Sequence, residues 1–112
     1  MTNCIFCSII KGDIPAEKLY EDDNVLAFKD VNAQAPEHFL VIPKEHISTL
    51  NDVTNETLLG KLNTTAVMIA KERGFSESGY RLVMNCNGDG CQSVFHIHLH
   101  CLGGRQLNWP PG

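Results

Sequence analysis

The segment Gln92-Ser93-Val94-Phe95-His96-Ile97-His98-Leu99-His100-Cys101-Leu102 carries a histidine at every second position from 96 to 100, with apolar residues between them. Because side chains alternate between the two faces of a β-strand, this pattern predicts one strand over 92–102 with an imidazole face and an apolar face. Neighbours on one face stand about 6.5–7 Å apart along a strand, close enough to surround one phosphate group or one metal ion.

Two chemistries fit three imidazoles in this arrangement. His96, His98 and His100 could supply ligands to a catalytic zinc with an open coordination position. Alternatively, neutral imidazoles can act as nucleophile and proton donor near pH 7, where histidine changes its charge. The strand by itself favours neither chemistry.

The composition is typical of one globular domain, which we expect to span residues 1–112. Of the 112 residues, 43% are apolar and 20% are charged, and the net charge is −4. No apolar run is long enough to cross a membrane, and no signal-peptide pattern opens the chain. Without a Lys/Arg cluster, a nucleic-acid polymer is not an expected partner. Five cysteines, an odd number, indicate thiols or metal ligands instead of a disulfide framework. We therefore expect a cytoplasmic protein that also reaches the nucleus by diffusion.

Apolar periodicity and turn residues predict the remaining elements. Short strand-like runs bounded by turn residues occupy 17–20, 25–30, 38–43 and 79–85. Apolar residues recur at helical spacing from about 54 to 73, with Thr54 or Asp52 available as a cap and Gly74 available to end the helix. A short apolar run that Gly12 ends predicts a brief N-terminal helix. We therefore expect an α+β domain with a five-stranded, mostly antiparallel sheet and one long helix on one face.

Two cysteine-containing motifs lie outside the histidine segment. Cys4 and Cys7 have the spacing of a zinc site, and with only three residues before them they do not fit a redox dithiol that follows a strand. Two free buried cysteines are the alternative. The loop 86–91 contains glycines that leave its backbone free to turn N–H groups toward an anion, as a simple hairpin loop also would.

The run from His96 to Cys101 resembles the His-x-His-x-His signature of the histidine-triad family, in which x is apolar. The preceding residues 92–95 and the tail Gly103-Gly104-Arg105-Gln106-Leu107-Asn108-Trp109-Pro110-Pro111-Gly112 resemble its nucleotide-binding, phosphoramidase branch. The resemblance covers essentially the whole chain. It implies hydrolysis of the P–N bond of purine nucleoside 5′-phosphoramidates, giving AMP or GMP and an amine. It also implies a homodimer in which tail 103–112 lies against the partner near its active site.

The same resemblance implies roles for individual residues. His98 would attack the α-phosphate and form a nucleotidyl-histidine, His100 would bind phosphate oxygens, and His38 would support the triad from the neighbouring strand. Ser93 would donate a proton to the leaving amine, and no catalytic metal would be needed. Nucleotide contacts are implied for Asp30 (to ribose), Val31, Asn85, Gly90, Cys91 and Gln92, with Phe6, Ile9 and Phe28 as purine walls or core residues.

Family members with the N-terminal Cys-x-x-Cys bind zinc through it, the histidine after Pro-Lys-x and the first histidine of the triad. The resemblance therefore implies a structural Zn²⁺ site formed by Cys4, Cys7, His46 and His96. Four protein ligands close the coordination shell, so this metal would not activate water. A rival set would join Cys86 and Cys91 to the N-terminal pair.

Two positions depart from the family pattern. Cys91 stands where a glycine usually faces the ligand, and Asn108 stands where many close relatives have histidine. Two other functions remain open. One is hydrolysis of dinucleoside polyphosphates, the reaction of a sister branch, against which the Trp-Pro-Pro tail counts. The other is a non-catalytic, zinc-stabilised module that binds a nucleotide or a protein partner.

Overall fold

The computed structural model describes residues 3–112. Its elements are helix α1 (Ile5–Lys11), strands β1 (Lys18–Glu21), β2 (Val25–Lys29) and β3 (Glu37–Pro43), a 3₁₀ turn (Leu50–Asp52), helix α2 (Glu56–Glu72), and strands β4 (Tyr80–Val83) and β5 (Leu99–Gly103). The strands form one sheet in the order β1-β2-β3-β5-β4, and neighbouring strands pair antiparallel. The predicted α+β fold is confirmed. Neither helix of the described chain has the length and apolar character to span a membrane.

The histidine strand is shorter than the sequence predicts. Strand β5 begins only at Leu99, so His96 and His98 lie in an irregular segment before it, and the predicted extent of 92–102 is wrong. The pairing of β3 with β5 ends at Val41 and Leu99 because the preceding backbone bonds elsewhere. The N–H of Ile97 donates to the carbonyl of Ile47 (2.8 Å). The first two histidines are therefore oriented by individual hydrogen bonds instead of a regular ladder.

Helix α2 begins slightly later than the sequence predicts. Its N-cap is Asn55, whose side-chain oxygen accepts the N–H of Leu58 at 3.1 Å, instead of Thr54 or Asp52. The carboxylate of Asp52 is engaged one turn earlier, where it accepts the hydroxyl of Thr49 (2.9 Å). Gly74 follows the helix with a φ of +86°, a left-handed conformation that glycine adopts without steric cost. The predicted C-terminal stop is thus where the helix ends.

The side chains of the central strands point alternately to the two faces of the sheet, and a helix packs against each face. Helix α2 packs on one face, against a core of thirteen buried residues contributed mainly by the helix, β2, β3 and β5. Helix α1 covers part of the other face through Phe6 and Ile9, which pack with Leu26, Phe28 and Leu40. On that second face the sheet is open beyond α1, and this opening is where the chemistry-bearing side chains meet.

Candidate active site

A cavity of about 710 Å³ lies between α1, strands β2 and β3 and the segment that leads into β5. Its lining includes apolar side chains as well as imidazoles and a carboxylate. Ten of the residues singled out from the sequence line it: Phe6, Ile9, Phe28, Asp30, Val31, His38, Cys91, Ser93, His98 and His100. The fold therefore brings together side chains from four separate parts of the chain.

Three predicted nucleotide contacts lie apart from this lining in the described residues: Asn85, Gly90 and Gln92. The Gln92 side chain is buried and bonded to backbone groups. Its amide nitrogen donates to the carbonyl of Ser48 (2.8 Å), and its oxygen accepts the N–H of Asn87 (2.9 Å). Gly90 packs against the backbone of Cys86, whose oxygen would stand 2.6 Å from an added Cβ. In this conformation Gln92 and Gly90 shape the loop beside the cavity.

His98 is buried, and its ring has a defined tautomer. Its Nδ1 lies 2.8 Å from the carbonyl oxygen of His96. A carbonyl oxygen only accepts, so Nδ1 carries the proton and Nε2 keeps its lone pair. Burial lowers the pKa of His98 below the usual 6.5, against smaller opposing effects of this hydrogen bond and of Asp30. At neutral pH the ring is therefore uncharged, with an unprotonated nitrogen on the side away from the backbone.

His38 and His100 form a hydrogen-bonded pair across β3 and β5. The N–H of Gln34 donates to Nδ1 of His38 (3.0 Å), and since a backbone N–H only donates, the proton of His38 must lie on Nε2. That Nε2–H donates to Nδ1 of His100 at 2.9 Å, so the proton of His100 lies on its other nitrogen, Nε2. His100 therefore has a donor on the ring edge opposite to His38.

Burial also keeps this pair neutral. It lowers the pKa of His38, opposed by the charge of Asp30. Burial, with smaller lowering from His98 and His38 and an opposing effect of Asp30, brings the pKa of His100 to about 4. The two rings therefore act at neutral pH through hydrogen bonds and lone pairs, without a positive charge.

Asp30 joins this network at the end of β2. Its Oδ2 lies 3.3 Å from Nε2 of His38 and 4.0 Å from Nδ1 of His100, and its Oδ1 accepts the N–H of Asn32 (2.8 Å). The three donor atoms lie within 4.8 Å of one another, as metal ligands would. However, Nε2 of His38 is protonated in the tautomer described above, so the trio is organised as a hydrogen-bond network.

A second cluster consists of Cys4, Cys7, His46 and His96. Sγ of Cys4 is 3.4 Å from Nδ1 of His96, Sγ of Cys7 is 3.3 Å from Nδ1 of His46, and the two Nδ1 atoms are 3.2 Å apart. Tetrahedral zinc with bonds of about 2.0–2.3 Å separates its ligand atoms by roughly 3.3–3.8 Å. The spacing and the two-thiol, two-imidazole chemistry of the cluster thus fit zinc.

The tautomer of His96 fits the same metal. Its Nε2 lies 2.8 Å from the carbonyl oxygen of Pro43 and must donate to it, which leaves the Nδ1 lone pair directed at the thiols. Burial, followed by the neighbouring Cys4, raises the pKa of the Cys7 thiol, and a bound cation would act in the opposite sense.

The rival metal sites do not assemble in the part of the chain described. Cys86 and Cys91 are not grouped with Cys4 and Cys7, and His96, His98 and His100 do not converge as three ligands. His96 directs Nδ1 at the thiols, whereas His98 uses Nδ1 to bond the His96 carbonyl. His96 thus belongs to the cysteine–histidine cluster, whereas His98 lines the cavity.

Comparison with known proteins identifies the family of the chain. The sequence profile of the HIT domain matches residues 11–107. The chain belongs to the HIT domain family. A HIT family hydrolase from Legionella pneumophila Philadelphia 1, solved by crystallography, is 54% identical and superposes with a TM-score of 0.95 over 98% of this chain and 100% of that chain. The predicted family is confirmed.

Two curated HIT relatives carry informative names. A purine nucleoside phosphoramidase of Escherichia coli (strain K12) is 50% identical over 105 residues, covering 92% of this chain and 88% of the relative. A 14 kDa zinc-binding protein of Zea mays is 51% identical over 112 residues, covering 96% of this chain and 87% of the relative. The first relative is named for a reaction of purine nucleoside compounds, and the second is named for zinc binding.

Sequence reasoning missed one group of this HIT site, the backbone N–H of Gln34. It lies 3.0 Å from His38 and determines the tautomer of two rings. Because every residue except proline has such a group, no sequence pattern marks it.

Proposed function

We propose that this protein hydrolyses the P–N bond of purine nucleoside 5′-phosphoramidates and releases AMP or GMP and an amine. The observation that carries the proposal is the neutral His98 ring, whose Nδ1–H is bonded to the His96 carbonyl while Nε2 keeps its lone pair. Ser93 and His100 line the same cavity. The phosphoramidase of Escherichia coli, 50% identical to this chain, supports the choice of substrate.

The reaction has two steps. Nε2 of His98 attacks the α-phosphorus, the P–N bond breaks, and the amine leaves with a proton that Ser93 helps to deliver. A water molecule then attacks the nucleotidyl-histidine, which releases the nucleotide and restores the neutral ring. His100 donates its Nε2–H to a phosphate oxygen as charge develops there. A positioned donor of this kind typically contributes ~10²–10⁴ in rate.

The apolar wall supports a purine as the base. Phe6 and Phe28 contact each other edge to face with ring centroids 5.6 Å apart, and Phe6 also packs against His98 at 5.1 Å. We propose that the base lies along these rings and that Asp30 and Val31, at the mouth of the cavity, contact the ribose. Such aromatic walls exclude water and add to apolar burial.

We further propose that Cys4, Cys7, His46 and His96 hold a structural zinc. Its four protein ligands would stabilise the fold by tying α1 to the segment after β3 and to the histidine segment. No step of the proposed reaction requires this metal. The zinc-binding relative from Zea mays supports the assignment.

The test is mass spectrometry of protein quenched during turnover of an AMP-amine. We expect a nucleotidyl group on His98 only. His98→Ala should still bind nucleotide but have no turnover, whereas the matched variant His100→Ala should slow turnover ~10²–10⁴-fold and keep the label on His98.

Three results would contradict the proposal. Faster turnover of a dinucleoside polyphosphate than of the AMP-amine would identify the sister reaction. Nucleotide binding without turnover of either substrate would identify a binding module. Loss of turnover in chelator, at a temperature where the chelated protein stays folded, would identify a catalytic metal.

A further inference from the structure

The C-terminal tail is attached to the loop that precedes β3. The chain turns at Gly104 with a φ of +88° and lies so close to Pro36 that an added Cβ would stand 2.9 Å from the proline Cβ. Directly after it, Arg105 donates from Nη2 to the carbonyl of Gln34 (3.1 Å) and from Nη1 to the carbonyl of Gln106 (3.1 Å). One guanidinium thus joins the tail to loop 31–36.

Loop 31–36 has few other attachments for its middle residues. The side chain of Gln34 bonds within the loop, to the carbonyl of Asn32 (3.0 Å), and the N–H of Asn32 bonds to Asp30. The N–H of Gln34 bonds to His38. Among the described residues, the Arg105 bond is the side-chain hydrogen bond that connects Gln34 to an element outside this loop and its neighbouring strand ends.

We propose that Arg105 is a positioning residue that determines which nitrogen of His100 carries its proton. The argument rests on the function proposed above, in which His100 donates to the phosphate. Arg105 holds Gln34 in place, and the Gln34 N–H keeps Nδ1 of His38 unprotonated. His38 must then donate from Nε2 to Nδ1 of His100 (2.9 Å), which leaves the proton of His100 on Nε2.

Withdrawal of the Gln34 N–H would allow both rings to reverse, against the Asp30 carboxylate, which lies 3.3 Å from Nε2 of His38 and favours a proton there. Free of that donor, His38 can hold its proton on Nδ1 and present the lone pair of Nε2 to His100. His100 must then supply the shared proton from its own Nδ1, so that its Nε2 carries a lone pair instead of a donor. A lone pair directed at a phosphate oxygen repels the charge that a donor would stabilise. Two tautomers of one hydrogen-bonded pair therefore separate an active from an inactive site.

The expected effect is on the chemical step. Removal of a residue that orients a metal-binding histidine, without touching the metal itself, typically lowers activity or metal affinity about 10–100-fold. By analogy, we expect Arg105→Ala to lower kcat about tenfold or more. KM should rise by a smaller factor than kcat falls, because Arg105 itself lies outside the cavity lining whereas Val31 and Gln34 of the loop it holds belong to that lining.

The experiment combines kinetics with ¹⁵N–¹H spectra of the histidine side chains in the full-length protein. In the natural protein, Nδ1 of His38 and Nδ1 of His100 should both give the signals of unprotonated nitrogens. Arg105→Ala should mix the tautomers of both rings and lower kcat, and Arg105→Lys should restore part of both. Gln106→Ala is the matched control, because this exposed side chain bonds only within the tail, to the Leu107 carbonyl (3.1 Å).

Each outcome bears on the proposal. Unchanged tautomers of His38 and His100 in Arg105→Ala would overturn the proposal, whether or not kcat falls. Equal changes in tautomer and kcat in Gln106→Ala would overturn it as well. Changed tautomers with unchanged kcat would also overturn it, because the proton on His100 would then be irrelevant to the reaction. If the natural protein has no turnover, the proposed function fails, but the spectra still decide whether Arg105 controls the two rings.

Discussion

Replacement of Cys4 by serine is the sharpest test of the metal cluster. Cys4 is buried, and its sulfur contacts Nδ1 of His96 at 3.4 Å. The same sulfur also caps α1 by accepting the N–H of Cys7 at 3.3 Å. Serine is a good N-cap residue, so Cys4→Ser keeps the cap and removes the thiolate. The variant therefore reports on metal binding and much less on the helix start.

The magnitude follows from linkage. Zinc at a free concentration a thousandfold above its dissociation constant adds about 4 kcal/mol to the free energy of unfolding. For 112 residues the entropy of unfolding is about 0.24 kcal/mol/K near 60 °C, so loss of this contribution should lower Tm by about 17 °C.

The assay is calorimetry together with the metal content of protein purified in zinc. We expect one zinc per natural chain and a Tm that falls in chelator, whereas Cys4→Ser should have a low Tm that chelator barely changes. Cys86→Ser is the control, since Cys86 is not grouped with the cluster. Zinc that remains bound to Cys4→Ser, or that is lost from Cys86→Ser, would contradict the proposed set of ligands.

Two further predictions concern acid stability and the tail. Because burial and the neighbouring His98 and His38 lower the pKa of His100 from 6.5 to about 4, the unfolded chain takes up this proton at higher pH than the folded chain. The free energy of unfolding, measured in chelator, should therefore fall as the pH drops from about 6.5 to about 4, by up to roughly 3 kcal/mol, and His100→Gln should show a smaller fall. We also expect a homodimer at micromolar concentration. Truncation after Leu107 removes the 81%-exposed Trp109 and keeps Arg105. It should change the ratio of kcat/KM between two substrates and leave Tm nearly unchanged. A monomer with unchanged preference in size-exclusion and kinetic assays would contradict the dimer.

The main elements of the fold were predictable because they depend on local pattern. The apolar positions of α2 recur at helical spacing, and β2 and β3 consist of buried runs bounded by turn residues. The errors lie at element ends, where a single hydrogen bond decides. Asn55 caps α2 in place of Thr54 or Asp52, and the contact of Ile97 with Ile47 keeps 96–98 out of the ladder. Asp52, Thr54 and Asn55 are all residues that favour N-caps, so the sequence does not choose among them, and the Ile97–Ile47 bond joins backbone groups that nearly every residue has.

The sequence by itself determined the inventory of the site: alternating histidines, a Cys-x-x-Cys pair and an aspartate at the end of a strand. Only the tertiary structure decided how the imidazoles are divided. His96 meets Cys4, 92 positions earlier in the chain, and the tautomers of His38, His96 and His98 are each determined by a backbone group. The carbonyl of Pro43 leaves a lone pair on Nδ1 of His96, where we propose the zinc, and the carbonyl of His96 leaves a lone pair on Nε2 of His98, the nitrogen that we propose as nucleophile. The physical reason is that a carbonyl oxygen can only accept and a backbone N–H can only donate, and which of them meets a ring depends on the folded chain.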